Sequence, residues 1–239
     1  MFGIKTVSLR IIKKIYFRTI SNKVSNDTFI KHLMDSFNSD DYGHRSNRND
    51  ADLGYGWIHY GLIRLIKPTR LLCIGSRYGY IPAVMAQACK DNDKGVVDFV
   101  DPGYGESDKN HWTGVGYWKV KEGRECFNKF GLRKWISTYL LTSEEFKKKY
   151  NKREYGYIYI DGNHSYDGVT NDYKLFFPKL KIGGFMVFHD ICVKGAKTGG
   201  IYGVGKLWEE LLVKDSHISF VFSGSGLGVI QKNRQFDNQ

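Results

Sequence analysis

The chain is predicted to be an α/β protein: a Rossmann-like, seven-stranded, mostly parallel sheet with helices on both faces and a C-terminal antiparallel hairpin strand. Three observations predict it. From residue 70 onward short apolar runs alternate with stretches of helical length and period, the pattern of repeated βαβ units. Two of these runs, Ile158-Tyr-Ile-Asp-Gly-Asn-His164 and Phe185-Met-Val-Phe-His-Asp190, stop abruptly at ionisable residues. About 25 residues separate them, enough for a crossover helix that brings both strand tips to one sheet edge. The last two runs are joined only by Ser223-Gly-Ser225, which allows an antiparallel hairpin and no crossover.

The elements follow in order. Residues 4–20 place Ile4, Val7, Ile11, Ile12, Ile15 and Tyr16 near helical spacing with basic residues between them. Residues 36–54 are polar and nearly free of aliphatics, so they read as a loop or boundary. A helix over 55–66 stops before Pro68. Then come a strand at 70–74, a helix at 81–89 and a strand at 96–100. A Gly- and aromatic-rich insertion at 101–117 leads to a helix at 120–130. A strand at 136–140, a helix at 143–150, a strand at 157–160 and a helix at 169–177 follow. The strand at 185–188, a Gly-rich loop, a helix at 204–212 and hairpin strands at 218–222 and 226–231 complete the series. This divides the chain into residues 1–54, a basic N-terminal helical extension with a polar loop, and residues 55–239, the main domain.

Composition limits the classes of function. Among 239 residues, 41% are hydrophobic, which is ordinary for a globular chain. Cys73, Cys89, Cys126 and Cys192 follow no zinc or disulfide spacing and read as reduced thiols of a cytoplasmic protein. The net charge is +11, and residues 1–26 contribute +6 of it without a single acid. The excess thus belongs largely to one segment. Aromatic and basic residues do not interleave as stacking platforms would require, which argues against a nucleic-acid partner. Three readings of residues 4–20 stay open: a helix docked on its own domain or on a second subunit of a homo-oligomer, a peripheral contact with an anionic membrane, and a targeting presequence.

After the first strand, Gly75-Ser76-Arg77-Tyr78-Gly79 opens a helix. Its glycines allow close backbone approach, and the helix end offers free N–H groups. The spacing is not the GxGxxG of a pyrophosphate cradle. The second strand ends at Asp101, where a carboxylate can accept both hydroxyls of a ribose. Together the turn and Asp101 point to a nucleoside-containing cofactor. The later tips gather Asp161, His164, His189 and Asp190 into the crevice beyond the carboxyl ends of the strands, where open α/β sheets bind ligands. Asp167-Gly168 reads as turn and helix-entry chemistry, and Asp172 as an acid early in the helix, where the dipole favours it.

The order of these motifs resembles class I S-adenosylmethionine-dependent methyltransferases, in particular the branch with sugar and macrolide O-methyltransferases and cephalosporin-hydroxylase-like proteins. The residues that carry the resemblance are Leu71-Leu-Cys-Ile-Gly-Ser-Arg-Tyr-Gly-Tyr80, Asp101-Pro102, Thr142-Ser-Glu-Glu-Phe146, Ile160-Asp-Gly-Asn-His-Ser-Tyr-Asp-Gly168, Leu180-Lys-Ile-Gly-Gly-Phe-Met-Val-Phe-His-Asp-Ile191 and Gly226-Leu-Gly-Val-Ile230. It covers about residues 55–232, and the two strand-tip motifs are its specific part. It implies S-adenosylmethionine as cofactor, with Gly75, Ser76 and Gly79 at the methionine moiety, Asp101 at the ribose, Ser143 or Glu144 at the adenine edge and Asp161 beside them. Two positions depart from the family: Cys73 stands where an acidic residue is usual, and His189 where related metal-dependent enzymes have an acidic or amide residue.

Methyl transfer to a hydroxyl requires an in-line acceptor oxygen, loss of the hydroxyl proton and exclusion of water. A sugar-like hydroxyl has a very high pKa, and a divalent cation on the oxygen lowers it and orients it together. Asp161 and Asp190, with His189 completing the sphere, form the expected site for Mg2+ or Mn2+. Histidine's ordinary pKa suits proton acceptance at neutral pH, which makes His164 the expected general base, with Asp161 and Asp190 beside it as catalytic residues. The insertion at 104–118, with Trp112, Tyr117 and Trp118, is a candidate lid over a small-molecule acceptor. Lys194 and Lys197 stand on the second loop. Two rival functions are a metal-dependent hydrolase or hydroxylase built on His164, His189 and Asp190, and a non-catalytic cofactor-binding scaffold.

Overall fold

The computed structural model describes residues 27–39, 41–105, 114–197, 200–212, 216–221 and 224–233, and structural statements refer to these. The segment at 4–20 and Trp112 lie outside them. The N-terminal part holds helices α1 (Asp27–Ser36) and α2 (Asp41–His44). Helix α3 (Tyr55–Ile66) precedes β1 (Arg70–Ile74), α4 (Tyr80–Asp91) and β2 (Val96–Val100). Then come α5 (Lys121–Glu125), β3 (Ile136–Tyr139), α6 (Ser143–Lys149), β4 (Tyr155–Ile160), α7 (Tyr166–Phe176) and β5 (Leu180–His189). A small ribbon of β6 (Ala196–Lys197) and β7 (Gly200–Ile201) leads to α8 (Val204–Leu211), β8 (His217–Phe220) and β9 (Leu227–Gln231).

The seven-stranded sheet runs β3-β2-β1-β4-β5-β9-β8. Pairs from β3 to β5 are parallel, and β9 is antiparallel to both β5 and β8. The strand order reverses between β1 and β4, so the crevice opens at their carboxyl ends. Side-chain alternation splits the sheet into two cores. Leu71, Cys73, Val97, Phe99, Tyr157 and Tyr159 face the layer of α1, α3 and α4. Leu72, Ile74, Val100, Ile158, Ile160 and Phe188 face the layer of α6, α7 and α8. Near-continuous burial on both faces explains why these strands read as unbroken apolar runs.

Four local expectations differ from the structure. The helix expected at 120–130 is broken into a 3-10 turn at Tyr117–Lys119, the short α5 and a second 3-10 turn at Cys126–Phe130. Gly123 lies against the Tyr117 carbonyl, and the second turn buries Cys126, Phe127 and Phe130 together. Tertiary packing overrides helical period here. The polar stretch at 36–54 is not a featureless loop: it holds α2 and an Asn47–Asp52 bridge. Strand β5 begins earlier than expected, at Leu180, and carries a register shift opposite Tyr155/Tyr157. The Gly-rich loop carries the β6–β7 ribbon.

The N-terminal helix packs into the main core. Ile30, Leu33, Met34 and Phe37 are buried in the same cluster as Phe127 and Phe130, and Phe37 stacks on Phe127 with ring centroids 5.5 Å apart. The cysteines are free thiols; Cys73, Cys89 and Cys126 are buried and Cys192 is half-buried. Among the described residues no helix is long and apolar enough to cross a membrane.

Candidate active site

The strand tips line one cleft of about 1280 Å³. A drug-sized ligand pocket is typically a few hundred to ~1,000 Å³, so the cleft has room for two small molecules side by side. Gly75, Ser76, Asp101, Ser143, Glu144, Asp161, His164, His189 and Asp190 all line it.

The turn after β1 shows why its glycines are needed. Gly75 has φ 72°, and a side chain there would come within 2.5 Å of Gly162 Cα and closer still to the Asp161 carbonyl. The glycine therefore lets the β1 and β4 tips pack together, rather than only admitting a ligand. Gly79, with φ 92°, is not a lining residue: its open side is filled by Trp118, 2.8 Å from where a Cβ would be. Trp118 is buried and donates its indole N–H to the Ser76 carbonyl at 2.8 Å. It is a prop for the turn, not the exposed stacking surface expected of a lid. Ser76 Oγ accepts from Gly79 N at 3.1 Å.

Asp101 is tied down on both oxygens. Oδ1 accepts from Gly103 N at 2.7 Å and Oδ2 from Ser76 N at 3.3 Å. Burial pushes its pKa up to about 6, against those two N–H bonds and with a further push from Asp161. Cys73 lies beneath the turn, its thiol turned to the Gly75 carbonyl at 3.6 Å. Burial, with Asp161 and Asp101, holds that thiol well above its ordinary pKa, so it carries no charge to balance a cofactor's ammonium group.

Helix α6 begins with a capping box: Thr142 Oγ1 accepts from Glu145 N at 3.2 Å while Glu145 accepts from Thr142 N at 2.9 Å. Ser143 and Glu144 are thereby presented on its first turn. Asn171 donates to Glu144 Oε1 at 2.5 Å. Asp172 is not at the start of its helix as expected. Ser165 is the cap, α7 starts at Tyr166, and Asp172 is a buried residue in mid-helix.

The β4 and β5 tips build a four-residue network. His164 Nε2 lies 3.2 Å from Asp161 Oδ1 and 3.3 Å from Asp190 Oδ2. His189 Nδ1 lies 3.1 Å from Asp161 Oδ1 and 3.3 Å from Asp190 Oδ1. The other nitrogen of His189, Nε2, stands 2.8 Å from the Gly43 carbonyl. Both nitrogens of His189 face acceptors only, so the ring is an imidazolium that donates on each side. Burial opposes that charge, but Asp190 and Asp161 outweigh it and hold the pKa well above the ordinary value. Burial alone would raise both carboxyls; His189 and His164 instead hold Asp161 and Asp190 below the usual carboxylate range. Tyr159 adds an O–H donated to Asp161 Oδ2 at 3.1 Å. Asp190 sits at φ 62°, a conformation that costs a non-glycine residue energy and is typical of residues aimed by a functional site.

Of the three residues expected as cation ligands, Asp161 and Asp190 converge. With His164, their donor atoms lie within 4.8 Å of one another. His189 supports the two carboxylates from the other side.

Local reading missed three lining or supporting residues. Tyr159 was detectable, since it stands two positions before Asp161 on the same strand face. His44 stacks between Tyr80 and His189, at 5.2 and 4.9 Å, and nothing in the polar segment around it announces that. Tyr202, from the Gly-rich loop, lies flat on His164 with centroids 5.1 Å apart, and burial pushes its phenol up to about 12.

Known proteins share this fold. The O-methyltransferase TomG from Streptomyces achromogenes, involved in tomaymycin synthesis and solved with S-adenosylmethionine, superposes with a TM-score of 0.59 at 13% identity, over 92% of this chain and 95% of its own. The methyltransferase PaMTH1 of Podospora anserina gives 0.60 at 17% identity, over 98% and 97%. An O-methyltransferase from Bacillus cereus gives 0.58 at 13% identity, over 91% and 96%. At such identities these likenesses establish the fold. In sequence, the chain is 25% identical over 182 residues to the uncharacterized protein y4gI of Sinorhizobium fredii; the match takes in 73% of this chain but 19% of that longer protein. The methyltransferase domain family matches residues 72–191, half of the chain, from β1 through the turn and Asp101 to both ionisable strand tips. The chain therefore belongs to the methyltransferase domain family, with the class I fold of its S-adenosylmethionine-dependent members.

Proposed function

We propose that the chain is an O-methyltransferase that moves the methyl group of S-adenosylmethionine to a hydroxyl of a small acceptor, a sugar, glycoconjugate or similar metabolite. The observation that carries this reading is the position of His164, whose Nε2 is bracketed by Asp161 and Asp190 at 3.2 and 3.3 Å beside the turn and Asp101. The cofactor, when bound, supplies an electrophilic methyl group on a sulfonium. Asp101, with one lone pair on each oxygen used by the backbone, has capacity left for a ribose diol. Ser76 and Gly75 border the methionine end, and Ser143 and Glu144 the base end.

Asp161 and Asp190 bracket His164 Nε2. They then stabilise the imidazolium formed as the hydroxyl gives up its proton. His189 holds the carboxylates in place from behind, and Tyr202 covers the ring face and screens it from water.

A second reading keeps the divalent cation, Mg2+ or Mn2+. The convergence of Asp161, His164 and Asp190 favours it, because two carboxylates and an imidazole suit such an ion. Bound there, it would lower the acceptor hydroxyl's pKa, and His164 would serve as a ligand instead of a base.

The test is methyl transfer from radiolabelled S-adenosylmethionine to a panel of sugars and glycoconjugates, with and without EDTA. Transfer that survives EDTA supports His164 as base. Loss in EDTA with recovery on Mg2+ or Mn2+ supports the cation. Failure to bind S-adenosylhomocysteine would remove the methyltransferase reading altogether.

A further inference from the structure

Asp172 is a buried acid for which the methyl-transfer centre has no use. It is 4% exposed, lies midway along α7, and forms part of the cleft wall. Two elements pack on its carboxyl. After β4, Gly162 leaves space in which Oδ2 would stand 3.4 Å from a side-chain carbon. From α6, the Ser143 hydroxyl donates to it, and the charged group bearing on it is Glu144, of like sign. Glu144 is itself engaged by Asn171. A buried carboxylate without a paired cation is costly, and the usual resolution is to keep the proton.

The place of this acid in the cleft suggests its partner. Asp101 at the β2 tip offers acceptors for a ribose. On the β1 and β4 side of it the cleft runs to the reaction centre, so the base of a nucleoside held there extends the other way, towards α6 and α7. On those two helices Ser143, Asn171 and Asp172 line the cleft, grouped by the Ser143–Asp172 and Asn171–Glu144 hydrogen bonds. Adenine presents an amine donor next to a ring-nitrogen acceptor. A neutral carboxylic acid presents the complementary pair, a carbonyl oxygen next to an O–H. A carboxylate presents two acceptors and meets the ring nitrogen with repulsion.

Resting on the S-adenosylmethionine reading above, we propose that Asp172 recognises the adenine base as a neutral acid, donating its O–H to a ring nitrogen and accepting from the exocyclic amine. Burial supports this by raising the Asp172 pKa to about 7, with Ser143 opposing and Glu144 adding to the rise. The base-recognition hydrogen bond is then complete below neutrality and lost above it.

The experiment is calorimetric titration of the full chain with S-adenosylhomocysteine, and with its analogue lacking the 6-amino group, at pH 6 and pH 8.5. Wild type is expected to bind S-adenosylhomocysteine about tenfold more weakly at pH 8.5, the worth of one good hydrogen bond. Asp172→Asn keeps a donor beside an acceptor and does not titrate, so it should bind with nearly equal affinity at both pH values. Asp172→Leu should lose about tenfold at pH 6 and lose most of the discrimination against the deaminated analogue. Melting curves of both variants establish that they fold. Binding that is independent of Asp172, or an alkaline loss that persists in Asp172→Asn, overturns the inference and leaves the methyltransferase reading standing. No binding of S-adenosylhomocysteine at either pH removes the donor reading itself, and this inference with it.

Discussion

His189 Nε2 donates to the carbonyl of Gly43 at 2.8 Å across 146 residues of sequence, and through that bond the strand tip that carries Asp190 also anchors the polar segment around Gly43. The Ser225 hydroxyl donates to the same carbonyl. His189→Ala would leave Asp161 and Asp190 facing each other with one imidazole fewer, and the Gly43 carbonyl with one donor fewer. The expected cost is roughly 3–5 kcal/mol, the usual penalty for stripping a partner from buried charges. The sign with pH follows from the shifts. His189 is raised, so its contribution is complete below its ordinary pKa and is lost as pH rises through the higher folded value. Asp161 and Asp190 are lowered, so theirs is present above the ordinary carboxylate range and lost in strong acid. Melting temperatures of both proteins should differ by a constant gap between about pH 5 and 6, narrowing in strong acid and as the pH rises above histidine's ordinary value. A variant as stable as wild type throughout would show that the network carries no net stability.

His164→Asn preserves the bulk of the ring position but cannot take a proton. Its kcat should fall by about 10²–10⁴, the usual contribution of a positioned base, while the affinity for S-adenosylhomocysteine stays within about twofold. Steady-state kinetics beside calorimetry separates the two. A parallel loss of cofactor affinity would move His164 from the chemistry to the cofactor site.

Asp101 should set the acid limit of cofactor binding. Its pKa is raised to about 6, mainly by burial, and only the ionised form accepts from both hydroxyls of a diol. S-adenosylhomocysteine affinity should therefore fall below about pH 6, and Asp101→Ala should weaken it by roughly ten- to a hundredfold at pH 7. With Asp172 limiting the alkaline side, the affinity profile should peak between pH 6 and 7. Asp101→Asn should flatten the acid limb alone.

Two glycines of similar backbone conformation should respond differently to alanine. Gly75 has φ 72° and is crowded by the Asp161 carbonyl and Gly162, so Gly75→Ala should force β1 and β4 apart and cost more than about 3 kcal/mol. Gly183 has φ 78° with nothing within 4 Å of an added carbon, so Gly183→Ala should cost about 1 kcal/mol, the strain of the conformation itself. Urea denaturation midpoints test the pair. Equal losses would mean that crowding at Gly75 is relieved by backbone adjustment.

The strand cores, the hairpin and the ionisable tips were legible because each is local. A strand buried on both faces must be an apolar run, and Asp161, His164, His189 and Asp190 are the residues at which those runs end. Parallel strands joined by a helix place their tips on the same edge of the sheet. These features came from the chain's own periodicity. The hairpin rule made β8 and β9 antiparallel neighbours; that β9 rather than β8 pairs with β5 was decided by the tertiary structure.

What tertiary structure alone decided is which side chains from elsewhere reach those tips, and in what protonation state. His44 and Gly43 belong to a polar segment with no pattern of its own, and Tyr202 to a Gly-rich loop. Their contacts to His189 and His164 arise from packing across more than a hundred residues in one case and about forty in the other. The roles of the two histidines were likewise decided in space. His189 faces acceptors on both ring nitrogens and is a fixed cation, whereas His164 shares a single nitrogen between two carboxylates. Asp172 changed most. By sequence it was an acid early in its helix; burial in mid-helix, with Glu144 adding to it and Ser143 opposing, raises its pKa to about 7, because the charge of a carboxyl is governed by what surrounds it and not by where it stands in the chain.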